Sequence, residues 1–309
     1  MKWFERKQNN VIGYKLMFLL LAFFPPVFMR FLALPIGFFY WIFSLKTRAA
    51  SKKYLATLFS FCDSKNKGSS LRHFVSFALN LVENMQSWAG KFSFKNVHWQ
   101  DDDVGDLVQN INSGHGTVVV ISHLGNAQML KALASIGESG TERDMSITSI
   151  SDVNLSKGFY ATLSKINPKA AFHIVNSNDI GPETIILLQE RLEHGETVVV
   201  AGDRIGVHSN RTVELPFLGR NADFPYGVFL LISLLNAPAY FVWGLRNKDI
   251  TLFPEYNMYV RKNPVDFSGS RKERGEKILQ TVRTFVKNLE DLCVLNPYQW
   301  YNFFDFWKE

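Results

Sequence analysis

Apolar and polar positions fall along this chain in two alternating patterns. Short β-branched or aromatic runs at 118–121 (VVVI), 145–150, 173–175, 197–201 (TVVVA) and 238–243 have the length and composition of buried strands, and 92–99 alternates as a strand would. Between them lie stretches of helical period. Residues 71–88 place Phe74, Ala78, Leu81 and Met85 on one face, and 271–293 repeat Ile278, Val282, Phe285, Leu289 and Cys293. Helices are also predicted over 104–111, from Met129 to about residue 136, over 155–166, after Pro182 and from Pro225 to Leu235. Strands alternating with helices predict an α/β fold, a central mixed sheet flanked by helices. The segment 215–220 (LPFLGR) reads as a compact turn. The ending NPYQWYNFFDFW is too aromatic for a free terminus and is expected to fold back on the body or on a membrane.

The N-terminus breaks the pattern. After a polar, basic start come apolar runs at 16–29 and 31–45, with Pro25-Pro26, Arg30 and Pro35 interrupting them. A spanning helix needs about 20 predominantly apolar residues; neither run reaches that alone, and read as one segment they are long enough but hold Arg30 and three prolines, so a single spanning helix stays open as the alternative. A cleaved signal is disfavoured because no small-residue cleavage site follows cleanly. The expectation is a membrane-associated apolar helical segment over 1–47, a broken hairpin lying in one leaflet, ahead of an α/β domain over 48–309. Lys46, Arg48, Lys52 and Lys53 would then meet phospholipid headgroups.

Composition narrows the partners. The chain of 309 residues carries a net charge of +6 and 27 Phe, 7 Trp and 10 Tyr. The basic balance suits an anionic partner and the aromatics suit lipid. No basic recognition helix, zinc-finger spacing or aromatic RNA motif is present, which disfavours nucleic acid. The two cysteines, Cys62 and Cys293, form no metal spacing or disulfide framework. Asp101-Asp102-Asp103 reads as the acidic first turn of a helix, because adjacent side chains do not face one metal.

The candidate chemistry sits at strand ends. The first strand delivers Ser122-His123-Leu124-Gly125-Asn126, and the 197–201 strand delivers Gly202-Asp203-Arg204 to the same edge, followed by a polar loop ending at Arg211. In α/β folds that edge holds the ligands. A histidine there can act as a general base at neutral pH, its plainer reading being a polar loop residue that caps the next helix. Arg204 and Arg211 are candidates to hold a phosphate, and the backbone N–H groups of Gly125 and Asn126 to bind an oxyanion. Asp203 and Arg204 have a plainer reading as a surface ion pair. With an aromatic anchor, this set suggests acyl transfer at a membrane. A soluble α/β hydrolase lacks its G-x-S-x-G elbow here.

The blocks SHLGNAQ (122–128), AGDR (201–204), 213–242, the apolar N-terminus leading into RAASKKYL (48–55), and the aromatic ending carry a family resemblance over nearly the full length. The chain resembles the late acyltransferases of lipid A synthesis, in the wider lysophospholipid acyltransferase superfamily. HLGN with the FFDFW-like tail is more similar to the branch associated with aryl-polyene-type lipid clusters. The resemblance implies an enzyme on the cytoplasmic face of a Gram-negative inner membrane. It would move a fatty acyl group from acyl carrier protein or coenzyme A to a lipid hydroxyl, with no metal or redox cofactor. The family motif is His, four residues, then Asp or Glu. Carried over, His123 is the base and the carboxylate position falls on the neutral Gln128. An amide still orients the imidazole but stabilises an imidazolium poorly. Three readings stay open: an inactivated variant, a relative in which Asp152 or Asp203 supplies the charge, and a non-catalytic lipid- or carrier-binding relative.

Overall fold

A computed structural model describes residues 16–307, apart from 18, 22, 93, 102, 127–128, 130–140, 144, 153–172 and 207–210. In chain order the elements are α1 (Pro26–Phe43), α2 (Leu45–Phe61), α3 (Ser70–Trp88), β1 (Val97–Trp99), α4 (Asp103–Asn112), β2 (Thr117–Ile121), β3 (Ile147–Ser151) and β4 (His173–Asn176). They continue with α5 (Pro182–Glu193), β5 (Thr197–Ala201), β6 (Thr212–Phe217), β7 (Arg220–Pro225), α6 (Tyr226–Leu235), β8 (Ala239–Arg246), β9 (Tyr256–Lys262) and α7 (Arg271–Leu295).

Among the described residues the main sheet has seven strands in the order β1-β9-β8-β2-β5-β3-β4. All neighbours are parallel except β8 and β9. The sheet is mixed and covered on both faces, as the strand–helix alternation predicts. The pleat divides β2 between two cores. Val118 and Val120 pack with Leu188 of α5, Phe229 of α6 and Phe285 of α7. Val119 and Ile121 face the other way, with Leu107 and Ile111 of α4. Chain leaving β2 passes β5 to reach β3, while chain leaving β5 passes β2 to reach β8. The two connections leave in opposite directions, and in α/β sheets the carboxyl ends of such neighbouring strands, here β2 and β5, are where ligands bind.

Several expectations need correction. Only Val97–Trp99 of the 92–99 stretch is strand, preceded by a 3-10 turn at Phe94–Asn96. The turn expected at 215–220 is the tip of the β6–β7 hairpin. Its two-residue loop has Leu218 and Gly219 at φ of 52° and 75°, the left-handed geometry that suits strand twist. Strand β9 went unpredicted, although Tyr256, Met258 and Val260 alternate inward. Asp101 pairs with Arg261, Asp103 accepts from Lys262 N–H, and Asp106 pairs with Lys262. The helices expected at 129–136 and 155–166 lie outside the described residues, except that Met129 is helical and buried.

At the N-terminus the break falls at Pro25-Pro26. From there α1 runs through Pro35 as one helix. It buries a stripe of Met29, Arg30, Ala33 and Gly37. A Cβ on Gly37 would stand 2.9 Å from the Val75 Cα, so glycine there lets α1 approach α3 closely. Phe31, Phe39 and Phe43 face outward. The boundary expected between residues 47 and 48 falls inside α2, in its first turn.

Candidate functional site

Sheet register brings the two strand ends together. Ile121 is level with Ala201, and Gly202 N–H extends the ladder by donating to Ile121 O at 2.9 Å. A Cβ on Gly202 would lie 2.7 Å from Val120 Cγ1, so a larger residue would push the turn away. One residue further on, His123 and Asp203 sit side by side. His123 Nδ1 is 2.9 Å from Asp203 Oδ1, and the His123 backbone N–H donates to Asp203 Oδ2, also at 2.9 Å. Trp300 Nε1–H donates to the same Oδ2 at 3.2 Å.

The charges follow from this packing. Asp203 is 1% exposed. Burial pushes its carboxyl up, but the His123 charge and hydrogen bonds, with Arg204, outweigh it and hold Asp203 at about 2. Asp203 is therefore an acceptor at neutral pH, which puts the imidazole proton on Nδ1. Burial lowers His123 below the ordinary histidine value, Arg204 lowers it further, and Asp203 opposes both. The ring is still 36% exposed. Its Nε2 makes no hydrogen bond among the described residues, so the neutral ring presents a basic lone pair.

This geometry revises the reading of Asp203. At 1% exposure it is not a surface partner of Arg204. It lies behind His123 and orients it. Asp152 follows β3, on the far side of β5 from β2, and Gln128 lies outside the described residues. The carboxylate beside His123 thus comes from 80 positions further along the chain. The five-residue spacing pointed elsewhere.

Gly125 and Asn126 are also reassigned, since neither backbone N–H is available to an oxyanion. Gly125 N–H donates to Gln299 O at 2.8 Å, and Asn126 N–H to Gly244 O at 2.7 Å. Gly125 has φ of 72°, and a Cβ there would lie 2.1 Å from Gly244 O. Its glycine lets the loop sit flat on β8. The Asn126 side chain is buried and donates to Tyr256 OH at 3.4 Å.

Arg204 does join the site. It acts electrostatically on both His123 and Asp203, and Nη2 donates to Tyr301 O at 3.1 Å. Arg211 stands at the start of the β6–β7 hairpin, its guanidinium 3.7 Å from the centre of the Tyr226 ring. The structure brings together His123, Asp203 and Arg204.

The aromatic tail supplies residues that the sequence reading missed. Leu124 bridges Trp300 as a short antiparallel pair, and Tyr301 N–H donates to His123 O at 3.0 Å. Gln299 clamps β8 by donating to Arg246 O at 2.6 Å while accepting from Arg246 N–H at 2.8 Å. The Arg246 side chain is fully buried against Glu83 of α3, with Nε to Oε2 at 3.0 Å, and Tyr256 OH donates to the same oxygen. The only signals in the sequence were an arginine after an apolar strand and a glutamate within an apolar helix. Among the described residues no group of three or more His, Cys, Asp or Glu converges as metal ligands would.

No protein-family model matches this chain, and no curated protein matches its sequence.

Proposed function

We propose that the chain is a membrane-associated O-acyltransferase moving a fatty acyl group from an acyl carrier protein or coenzyme A thioester to a lipid hydroxyl. The observation that carries this reading is the His123–Asp203 pair: Nδ1 held by a buried carboxylate and Nε2 without a hydrogen bond among the described residues, at the carboxyl ends of β2 and β5. Nε2 takes the proton of the acceptor hydroxyl as its oxygen attacks the thioester carbonyl. The tetrahedral intermediate collapses by breaking the C–S bond, and the imidazolium returns the proton to the departing thiolate. Asp203 fixes the tautomer and stabilises the transient imidazolium. Arg204 supplies positive charge for the oxyanion or a donor phosphate. With Asp203 in this role, the neutral Gln128 is no argument against turnover, and no metal or redox cofactor is called for.

The membrane reading rests on α1. By length and composition alone this helix could cross a bilayer. Its contacts favour lying in the surface. Arg30 is buried on the face packed against α3 and feels the Glu83 charge, so it points into the protein. A spanning pose would draw α3, with Glu83 and Asn80, toward lipid at a cost of several kcal/mol. With α1 in the plane, Phe31, Phe39 and Phe43 enter the leaflet and exposed Lys46 and Lys52 reach acidic headgroups. We place this surface on the cytoplasmic face of a bacterial inner membrane, where an acidic acyl carrier protein would meet the basic chain.

The deciding experiment incubates the full chain in lipid vesicles with radiolabelled acyl carrier protein or acyl-coenzyme A and a lipid extract. Labelled lipid should form with the chain as given and vanish with His123→Ala. No transfer by the parent chain or by Gln128→Glu would leave only a lipid- or carrier-binding role.

A further inference from the structure

Trp300 touches the site without reaching its open edge. Its indole N–H donates to Asp203 Oδ2, while Oδ1 takes the imidazole N–H. An indole donates and never accepts, so this contact can only draw charge from the carboxylate. The ring is immobilised edge-on among Tyr54, Phe217 and Phe306, at centroid distances of 5.1, 5.1 and 4.9 Å. Its backbone is fixed as well. Trp300 O accepts from His73 Nε2–H at 3.0 Å, and Ser51 Oγ lies 3.0 Å from His73 Nδ1. Two helices, α2 through Ser51 and α3 through His73, are thereby linked to the Trp300 backbone.

We infer that Trp300 is a positioning residue that sets the basicity of His123 through Asp203. A carboxylate whose second oxygen is engaged pulls less strongly on an imidazolium. Removing the indole N–H concentrates charge on Asp203, favours protonated His123 and leaves the carboxylate one anchor fewer. Among the described residues the other ionisable groups facing the pair are Arg204 beside it and Cys293 of α7 near Asp203, with Tyr54 and His73 across Trp300. Cys293 and Tyr54 are pushed well up by burial and stay neutral, so Arg204 is the charge that competes. The inference builds on His123 as the base in the proposed reaction.

The test follows the His123 ring by NMR in the full chain in detergent micelles, with the signal assigned from His123→Gln. Trp300→Phe keeps an aromatic ring and removes the donor, and the His123 midpoint should rise by about half a unit or more. Asp203→Asn should move it the opposite way, because the Coulombic support is lost. The acid limb of the acyl-transfer rate should follow Trp300→Phe upward, with kcat falling roughly three- to tenfold and KM unchanged. If Trp300→Phe does not fold, incorporating the benzothiophene isostere of tryptophan at Trp300 removes only the N–H and should give the same shift. An unchanged midpoint in a folded variant overturns the inference. A shifted midpoint in a chain that transfers no acyl group supports the inference and sinks the acyltransferase reading, so the two failures are separable.

Discussion

Two histidines lie on opposite sides of Trp300, and their surroundings differ in one decisive way. His73, on α3 and packed toward α2, has both ring nitrogens bound, to Ser51 Oγ and to Trp300 O. It stacks on Phe303 at 4.5 Å and is fully buried. Burial pushes it down to about 3, so it stays neutral. His123 has one nitrogen on a buried carboxylate and the other without a hydrogen bond among the described residues, on a ring still partly open. Both are depressed, so a shifted pKa does not separate a structural histidine from a reactive one. The occupancy of the second nitrogen does. Trp300 serves both sites, giving its carbonyl to one and its indole to the other.

The largest expected effect breaks the reactive side. Asp203→Asn keeps the shape but admits the wrong imidazole tautomer and removes the charge that stabilises the imidazolium. In the serine protease triad the same change costs roughly 10⁴ in kcat, and acyl transfer here should fall by about 10³–10⁴ with little change in KM. A loss below tenfold in a steady-state assay would remove Asp203 from the chemistry.

The structural side should announce itself in acid stability. The folded-state value of His73, about 3 against 6.5 unfolded, means that the unfolded chain binds the extra proton first. Its contribution is complete above pH 6.5 and is lost as pH falls toward 3, by up to roughly 5 kcal/mol. His123 adds a smaller loss of the same sign. Denaturant titrations across that range should show this slope in the parent chain and a flatter one in His73→Gln. Equal slopes would mean that His73 is not buried as described.

Ser51→Ala sharpens the contrast. It leaves His73 Nδ1 as a buried acceptor without a donor, a cost of about 1–3 kcal/mol. Acyl transfer at a temperature where the variant is folded should change less than threefold, since Trp300 keeps its bond to Asp203. A large loss of kcat without loss of stability would make α2 a direct participant in the chemistry.

Much of this was legible in the chain, for local reasons. The β2 and β5 strands announce themselves as β-branched runs, and side-by-side pairing sets His123 against Asp203 because each stands two places past its strand. Helices α3, α6 and α7 follow from apolar period. Other features depend on distant partners. The β6–β7 hairpin hides because Pro216 sits within a strand, a position that a two-stranded edge sheet tolerates. The tail shows its apolarity but not its destination, so neither Trp300 at Asp203 nor Gln299 at Arg246 could be read. The family resemblance put the carboxylate at position 128, and of the two alternatives, Asp152 and Asp203, the register of the sheet favours Asp203.

The smallest expected effect tests that substitution of partners directly. If the histidine needed its carboxylate five residues on, Gln128→Glu would restore a missing group and raise the rate by orders of magnitude. With Asp203 already accepting the Nδ1 proton at 2.9 Å, that nitrogen has no second proton to donate, and a new glutamate has no empty place in the pair. The expected change in acyl-transfer rate is therefore under about threefold, or under ~0.7 kcal/mol in barrier. A hundredfold gain would return the carboxylate role to position 128 and leave Asp203 as a structural acceptor, much like the Trp300 carbonyl beside His73.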